Sequence, residues 1–204
     1  MAEIKKDNTE EKILNAAQSV FIQKGMDGAR MQEIADEAGI NKALLHYYFR
    51  TKQKLFEAIF KKVFSNILPN LMDMVHSNLP IEEKLGIFIE KYIDLLMRNP
   101  YLPNFILKEI HREPEFLASI LKRNGMKPKE VFVSFEKEME AGKIRKMDPR
   151  DLLVNILGLS IFPIAAQPLL SIVLFENDKK AYHEFLSKRK DTVKAFILNS
   201  ILIK

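Results

Sequence analysis

Residues 31–56 read MQEIADEAGINKALLHYYFRTKQKLF, and this stretch decides the fold. Ala35 supplies a small side chain where two short helices cross, and Gly39, four positions later, permits the left-handed backbone that a tight turn requires. Leu45 is expected to anchor the second helix in the core. Three more apolar residues complete the seam between the helices: Ile34, Ala38 and Ile40. The spacing predicts a helix-turn-helix, and an ordinary helical hairpin within a bundle is the alternative that it leaves open.

The second short helix is rich in groups that bind nucleic acid. Asn41 is a favoured N-cap residue, and Lys42, His46 and Tyr47 offer donors and acceptors for phosphate oxygens or base edges. Residues 42–62 contain six Lys or Arg and one Glu, a local balance of +5 that equals the net charge of the whole chain. The rest of the chain therefore sums to about zero. Such a concentration of positive charge on one segment indicates a surface for a polyanion.

This stretch resembles the DNA-binding signature of TetR-type transcriptional regulators. The preceding helix matches as well, through Ala16, Ala17, Phe21, Lys24 and Gly25. The clear resemblance covers roughly residues 9–60, and the remainder agrees with the family in length and helical character. It implies a homodimer that binds a double-stranded DNA operator of pseudo-palindromic sequence, with repression as the family's commoner mode. It also implies a variable body that senses a small molecule.

The resemblance further implies a role for individual positions around the second helix. Asn41 matches the residue that caps the helix and faces the phosphates, and the groove-facing positions are Lys42, Ala43, Leu44 and His46. Tyr47 and Tyr48 match an aromatic pair of which at least one usually touches the DNA backbone. Phe49 matches a core anchor, and Lys52 matches a lysine that contacts a phosphate. These residues form the predicted DNA-binding site.

Three residues depart from the family pattern. Met31 stands where a Ser or Thr often caps the second helix and contacts phosphate, which puts that contact in doubt. Leu44 replaces a common Thr or Ser, so an apolar contact such as a thymine methyl replaces a hydrogen bond. His46 replaces a common Tyr, and its protonation is expected to make DNA binding mildly dependent on pH.

Helical periodicity continues through the rest of the chain, and no strand pattern competes with it. The first helix is expected from Asn8 or Thr9 to Lys24, with Asn8 as its cap. We predict an all-α fold of about nine helices. A three-helix head with the helix-turn-helix is assigned to residues 1–55, and a larger helical body for ligand binding and dimerisation to residues 56–204.

The stretch from Leu152 to Phe175 carries no charged residue. It is long enough to span a bilayer, but polar residues and two prolines interrupt it. A helix buried on nearly all sides, in a core or a subunit interface, is the favoured interpretation. We therefore expect dimerisation through about residues 150–204 and no membrane span. Pro163 and Pro168 should bend this helix, and the carbonyls that they free near Gln167 are candidates to face a ligand cavity.

The body offers candidate residues for a pocket that would bind an unidentified small and apolar effector. They are Phe88, Tyr92, Met97, Phe105, His111, Phe132, Phe135 and Gln167. Met-rich linings suit adaptable pockets, although plain core packing explains most of these residues taken singly. The scattered histidines lack ligand spacing, so no metal and no cofactor are expected. No phosphate loop or nucleophile motif suggests an enzyme.

Composition sets outer limits on the function. Cysteine is absent, which excludes disulfides and thiolate metal sites and fits a cytoplasmic protein. The first residues lack the apolar segment of a signal peptide. We therefore expect a ligand-responsive, sequence-specific regulator of transcription. The rival interpretations are a membrane-associated helical protein, and a helical ligand-binding or scaffold protein whose hairpin only mimics a DNA reader.

Overall fold

A computed structural model describes the backbone of residues 2–64 and 67–203 and the side chains of residues 8–64 and 68–203. In this part of the chain the fold is all-α, as predicted, with twelve helices rather than about nine. They are α1 (Ala2–Gly28), α2 (Met31–Glu37), α3 (Lys42–Tyr48), α4 (Lys52–Phe64), α5 (Ile67–His76), α6 (Ile81–Arg98), α7 (Leu102–Arg112), α8 (Pro114–Arg123), α9 (Pro128–Glu140), α10 (Pro149–Ala165), α11 (Gln167–Val173) and α12 (Lys179–Ile201).

The first helix begins earlier than its sequence suggests. α1 starts at Ala2, so the prediction of a cap at Asn8 was wrong, and Asn8 lies inside the helix. The preceding residues are mostly good helix formers, which lets the helix extend past a residue that favours caps elsewhere. Gly25 adopts a left-handed backbone, with φ of 70°, and interrupts the helical geometry where the sequence predicted its end.

The chain divides into two compact units. The first comprises Met1–Asn66 with Phe105–Asn124, and the second comprises Ile67–Asn104 with Gly125–Lys204. An aromatic cluster fills the first unit, where the rings of Phe21 and Phe56 lie 6.3 Å apart and those of Phe56 and Phe105 5.1 Å apart. α4 therefore packs against α1 in this unit. The functional division between residues 55 and 56 stays a prediction.

The second unit is built on three helices that contact one another: α6, α10 and α12. Ile89 on α6 and Ile156 on α10 are fully buried, and Ile197 on α12 is 2% exposed. These residues belong to one continuous hydrophobic core. One isolated antiparallel bridge joins Ile144 to Leu202 and holds the end of α12 against the α9–α10 loop.

The uncharged segment forms two helices with a bend of 71° between α10 and α11. Pro163 has no N–H with which to reach the carbonyl of Leu159, and the guanidinium of Arg189 donates to that carbonyl at 3.1 Å. The hydroxyl of Tyr182 donates to the carbonyl of Pro163. The carbonyls of Leu159 and Pro163 therefore bind protein donors, and a ligand cavity near Gln167 stays a prediction.

The Tyr182 hydroxyl has a measurable structural role. We expect Tyr182→Phe to lower the free energy of unfolding by about 1–3 kcal/mol, because it leaves the buried carbonyl of Pro163 without a donor. Urea denaturation measures the effect. Tyr47→Phe is the control, since the Tyr47 side chain is 73% exposed and its change should leave stability unaltered. Equal free energies for Tyr182→Phe and the unaltered protein would contradict the assignment.

Among the described residues, one bent pair of helices is long and apolar enough to be a candidate membrane span: Pro149–Ala165 with Gln167–Val173. No single described helix passes the same test. Within the single chain α10 is buried on one side only, and burial of its other side in a subunit interface stays a prediction. Val154 and Phe162 on α10 are 64% and 60% exposed, whereas Leu152, Ile156 and Ser160 on the opposite side are buried.

Candidate nucleic-acid interface

The second and third helices pack as the sequence predicted. Ile34 and Ala35 of α2 and Leu45 of α3 are completely buried. Ala35 lets the backbones approach, and Leu45 fixes α3 on its neighbours. α2 contacts α1 and α3, and α1 also contacts α4, so the short α3 is held by a larger helical support.

The turn between α2 and α3 depends on Gly39. Its φ is 67°, in the left-handed region, and its amide donates to the carbonyl of Asp36 at 3.1 Å. The amide of Ile40 donates to the carbonyl of Ala35 at 3.0 Å, so the last carbonyls of α2 have partners. This geometry turns the chain sharply and starts α3 at a fixed angle.

A substitution at Gly39 should expose this backbone requirement. We expect Gly39→Ala to lower the free energy of unfolding by about 1–2 kcal/mol, because a Cβ disfavours left-handed backbone. Backbone strain is the only cost, since a Cβ built at this position meets no atom within 4 Å. Gly39→Asn is the matched control, because Asn tolerates this conformation better and should cost less. Thermal unfolding of both variants checks the order, and an equal loss would contradict it.

Asn41 caps α3. Its side-chain Oδ1 accepts a hydrogen bond from the amide of Leu44 at 2.7 Å, and its backbone is extended, as an N-cap requires. The hydrogen bond from the Leu44 amide to the Asn41 side chain therefore fixes the first turn of α3.

The exposed side of α3 carries the predicted contact residues. Lys42, Ala43, His46 and Tyr47 are exposed, and Leu44 and Tyr48 are half-buried. The Tyr47 side chain is 73% exposed, and its ring meets that of Tyr48 edge to face at 5.5 Å. Phe49 is buried and ends the helix, as predicted for a core anchor. An aromatic, basic and apolar surface on a capped helix is suited to a DNA groove.

Comparison with known proteins agrees with this geometry. Residues 13–59 match the family model described as bacterial regulatory proteins of the tetR family. A Bacillus subtilis protein named probable HTH-type transcriptional regulator YttP is 24% identical over 87% of each chain. The HTH-type transcriptional activator FasR of Mycolicibacterium smegmatis is 24% identical over 76% of this chain and 70% of its own. FadR of Bacillus subtilis, solved in complex with stearoyl-CoA, shares the fold with a TM-score of 0.69 at 17% identity, covering 93% of this chain and 98% of its own.

Residues 13–59 match the DNA-binding domain of the TetR family, and the chain as a whole is similar to regulators of that family. It is a transcriptional regulator with a helix-turn-helix for DNA, and its relatives are regulators rather than enzymes. The fold likeness extends over nearly the whole chain, whereas the family model covers only the segment around α2 and α3.

One position differs from the family-based expectation. The N-cap of α2 is Arg30, so the prediction that Met31 holds that place was wrong by one residue. The Glu33 side chain accepts from the amide of Arg30 at 3.2 Å and pairs with the Lys24 ammonium at 2.9 Å. The hydrogen bond from Lys24 holds the pKa of Glu33 below its usual value.

Lys52 makes contacts that sequence reasoning did not foresee. Its ammonium nitrogen donates to the carbonyls of Asp27 and Ala29, at 3.1 and 2.9 Å, and so ties the start of α4 to the α1–α2 connection. One N–H of the ammonium is left over, and its contact with a phosphate stays a prediction. Arg30 and Arg50 are exposed cations beside α2 and α3 that the predicted set omits, although the basic run already contained Arg50.

The structure does not bring the predicted pocket residues together. Phe105 and His111 belong to the first unit, where Phe105 packs in the aromatic cluster and His111 is exposed. Gln167 belongs to the second unit and is exposed. Phe88 lines two small cavities of about 30 and 40 Å³, the first with Phe135 and the second with Tyr92. Met97 and Phe132 are half-buried outside both cavities. Burial raises the pKa of Tyr92 to about 12.

The described side chains contain no group of three or more His, Asp or Glu able to hold a metal ion. The second unit also has an open groove of about 890 Å³, whose lining contains no Phe, Tyr or Met side chain. Sequence reasoning missed this groove because its residues come from three separate segments: residues 75–84, α9 and Lys143.

Proposed function

We propose that this chain acts as a homodimer that binds a pseudo-palindromic operator through α3 and represses transcription until an effector binds its body. The observation that carries the proposal is α3 itself, capped by Asn41, anchored by the buried Leu45 and presenting Lys42 and Tyr47 to solvent. A recognition helix of this kind lies in the major groove with its N-terminal residues at the base edges. Two such helices in a dimer read half-sites one helical turn apart, about 34 Å.

An exposed apolar surface supports the dimer. Val154, Gly158 and Phe162 are spaced four residues apart and so share one face of α10, and Val154 and Phe162 are 64% and 60% exposed. Phe196 on the neighbouring α12 is 62% exposed. Apolar side chains this exposed favour association with another surface, and a second copy of the chain presents the same one. The pair of helices from each copy would form a four-helix bundle.

A charge placed on this surface tests the dimer. We expect Phe162→Asp to convert the protein to a monomer at micromolar concentration and to reduce operator affinity strongly, because a buried unpaired carboxylate opposes association. Sedimentation measures the mass. Ile110→Asp is the control, since Ile110 on α7 is an exposed apolar residue, 42% accessible, outside this surface. A Phe162→Asp protein that remains dimeric would contradict the proposal.

The operator arrangement gives a second test. We expect tight binding to a duplex with two half-sites centred about 10 base pairs apart, or a multiple of that spacing. Inserting five base pairs between them places the second half-site on the opposite face of the DNA, so affinity should fall towards that of a single half-site. Equal affinity for both spacings would contradict binding of a rigid dimer.

The effector is proposed from the family and from two relatives. FadR was solved with stearoyl-CoA, which supports an effector with a long apolar portion for this chain. The effector would bind more tightly to a dimer in which the two helix-turn-helix segments are spaced differently, and so would weaken DNA binding. FasR is named an activator, so activation is the second candidate for the direction of control. A DNA-bound regulator of this kind works in the cytoplasm.

A further inference from the structure

The open groove and a small apolar cavity meet in the second unit. The groove, of about 890 Å³, runs between residues 75–84 and α9. The cavity, of about 30 Å³, lies among α5, α6, α9 and α10. Both are lined by Val75, Lys84 and Ser134, so these three residues form the junction between a polar surface and an apolar interior.

Lys84 at this junction is unusual because lysine is almost never so deeply buried without a charged partner. It is 8% exposed, and its ammonium nitrogen donates to the carbonyl of Val75 at 3.2 Å. Among the described side chains no carboxylate lies within 4.0 Å of this nitrogen. The contact with Val75 supplies one acceptor at the end of α5 and leaves N–H groups for another acceptor.

Four lysines and three glutamates line the groove, so its lining has a surplus of one positive charge. Glu130 pairs with His76 at 2.8 Å and with Lys127 at 3.0 Å, and Lys143 pairs with Glu138 at 2.9 Å. Lys129 and Lys137 line the groove and have no carboxylate partner among the described residues, whereas Glu82 opposes them. With Lys84 included, the lining favours an anion.

The cavity beyond Lys84 is suited to hydrocarbon. Its walls are almost entirely apolar and include Leu85, Phe88, Phe135 and Ile156. The volume exceeds the 10–15 Å³ or so that one water needs, so it accepts a small apolar group without rearrangement. A longer chain requires α5 or α9 to move away from α6, which is a displacement of the kind that an effector must cause.

We propose that the groove and cavity together bind an amphiphile with an anionic head and a hydrocarbon tail. The head would accept hydrogen bonds from the Lys84 ammonium at the junction, and the tail would pass Ser134 into the apolar cavity. This inference rests on the proposed function, because it names the chemical class of the effector. Two sources share the chemistry: a free fatty carboxylate, and an acyl thioester whose carrier bears phosphates that the groove lysines would contact.

Calorimetric titration of the full-length protein with decanoate, decanol, decanoyl-CoA and CoA tests the proposal. We expect decanoate or decanoyl-CoA to bind, and decanol and CoA to bind at least about tenfold more weakly, because each lacks one half of the amphiphile. Binding of decanoate alone identifies the free acid, and binding of decanoyl-CoA alone identifies the thioester. Equal binding of decanol and decanoate, with no binding of decanoyl-CoA, would overturn the role of the charged head.

Two variants separate the parts of the site. Lys84→Met keeps the length of the side chain and should weaken binding of the anionic ligand about 10- to 100-fold, the range for a hydrogen bond to a charged group. Ser134→Phe fills the junction, leaves Lys84 in place and should abolish binding of the tail. Lys122→Met, at an exposed lysine of α8, is the control and should bind as the unaltered protein does.

The same preparations distinguish failure of this inference from failure of the proposed function. Operator affinity without ligand should be unchanged in Lys84→Met and Ser134→Phe. If the unaltered protein binds its operator but no amphiphile, or if both variants bind the amphiphile normally, the inference alone is wrong. If the protein binds no operator, the proposed function is wrong, whatever the titration shows.

Discussion

Replacing Lys42 and Tyr47 together with alanine should weaken operator binding about 100-fold or more. Both side chains are exposed on α3, and Tyr47 is 73% accessible. Loss of a hydrogen bond to a charged group costs about 1.5–3 kcal/mol, and each factor of ten in affinity corresponds to about 1.4 kcal/mol. The proposed dimer loses each contact twice, so the expected loss exceeds that of a single substitution.

Fluorescence anisotropy with a labelled duplex measures this loss, and thermal unfolding shows that the fold is intact. The double variant should unfold at the same temperature as the unaltered protein, because neither side chain is buried. The salt dependence should also become shallower, by about one unit of slope for each lost phosphate contact. As a matched control, Lys122→Ala removes an exposed lysine from α8 and should bind DNA normally. Unchanged affinity of the double variant would mean that α3 is not the DNA-reading helix.

The largest effect on stability is expected from Leu45→Ala. Leu45 is the fully buried residue of α3. A buried Leu→Ala change typically lowers the free energy of unfolding by about 2–5 kcal/mol. The loss should also abolish operator binding, because α3 would no longer be held on α2. Urea denaturation monitored by circular dichroism measures the first effect, and anisotropy measures the second.

The adjacent Leu44 is the matched control. It is half-buried on the DNA-facing side, so Leu44→Ala should cost clearly less in stability than Leu45→Ala while it weakens contact with the operator. The two variants change the same residue type at neighbouring positions of one helix. If they lost equal stability, α3 would not be seated as the structure places it.

The helix-turn-helix was predictable from the sequence because its requirements are local. Ala35, Gly39 and Leu45 each meet a demand set by the geometry of two crossing helices, and the structure has Ala35 and Leu45 fully buried and Gly39 left-handed. Asn41 caps α3 as its residue type suggests. Such features need no knowledge of distant contacts.

The second unit was less predictable because its features depend on contacts between distant segments. The hydrophobic periodicity of α6 marks Phe88 as buried but does not show which cavity it lines. Phe105 follows the same apolar pattern yet packs with Phe21 and Phe56 of the first unit. Lys84 looks like an ordinary surface lysine in sequence, and only the approach of Val75 shows that it is enclosed. Residues 75–84 and 129–143 come together only in the tertiary fold, so no local sequence motif predicts the groove.

The central claim, that an exposed α3 reads duplex DNA, is tested most directly by titrating the protein with its operator and with a scrambled duplex over a range of salt concentrations. The account predicts binding to the operator that is at least about 1000-fold tighter than to the scrambled duplex, and an affinity for both that falls steeply as salt rises. Equal affinity for the two duplexes, or an affinity independent of salt, would contradict it.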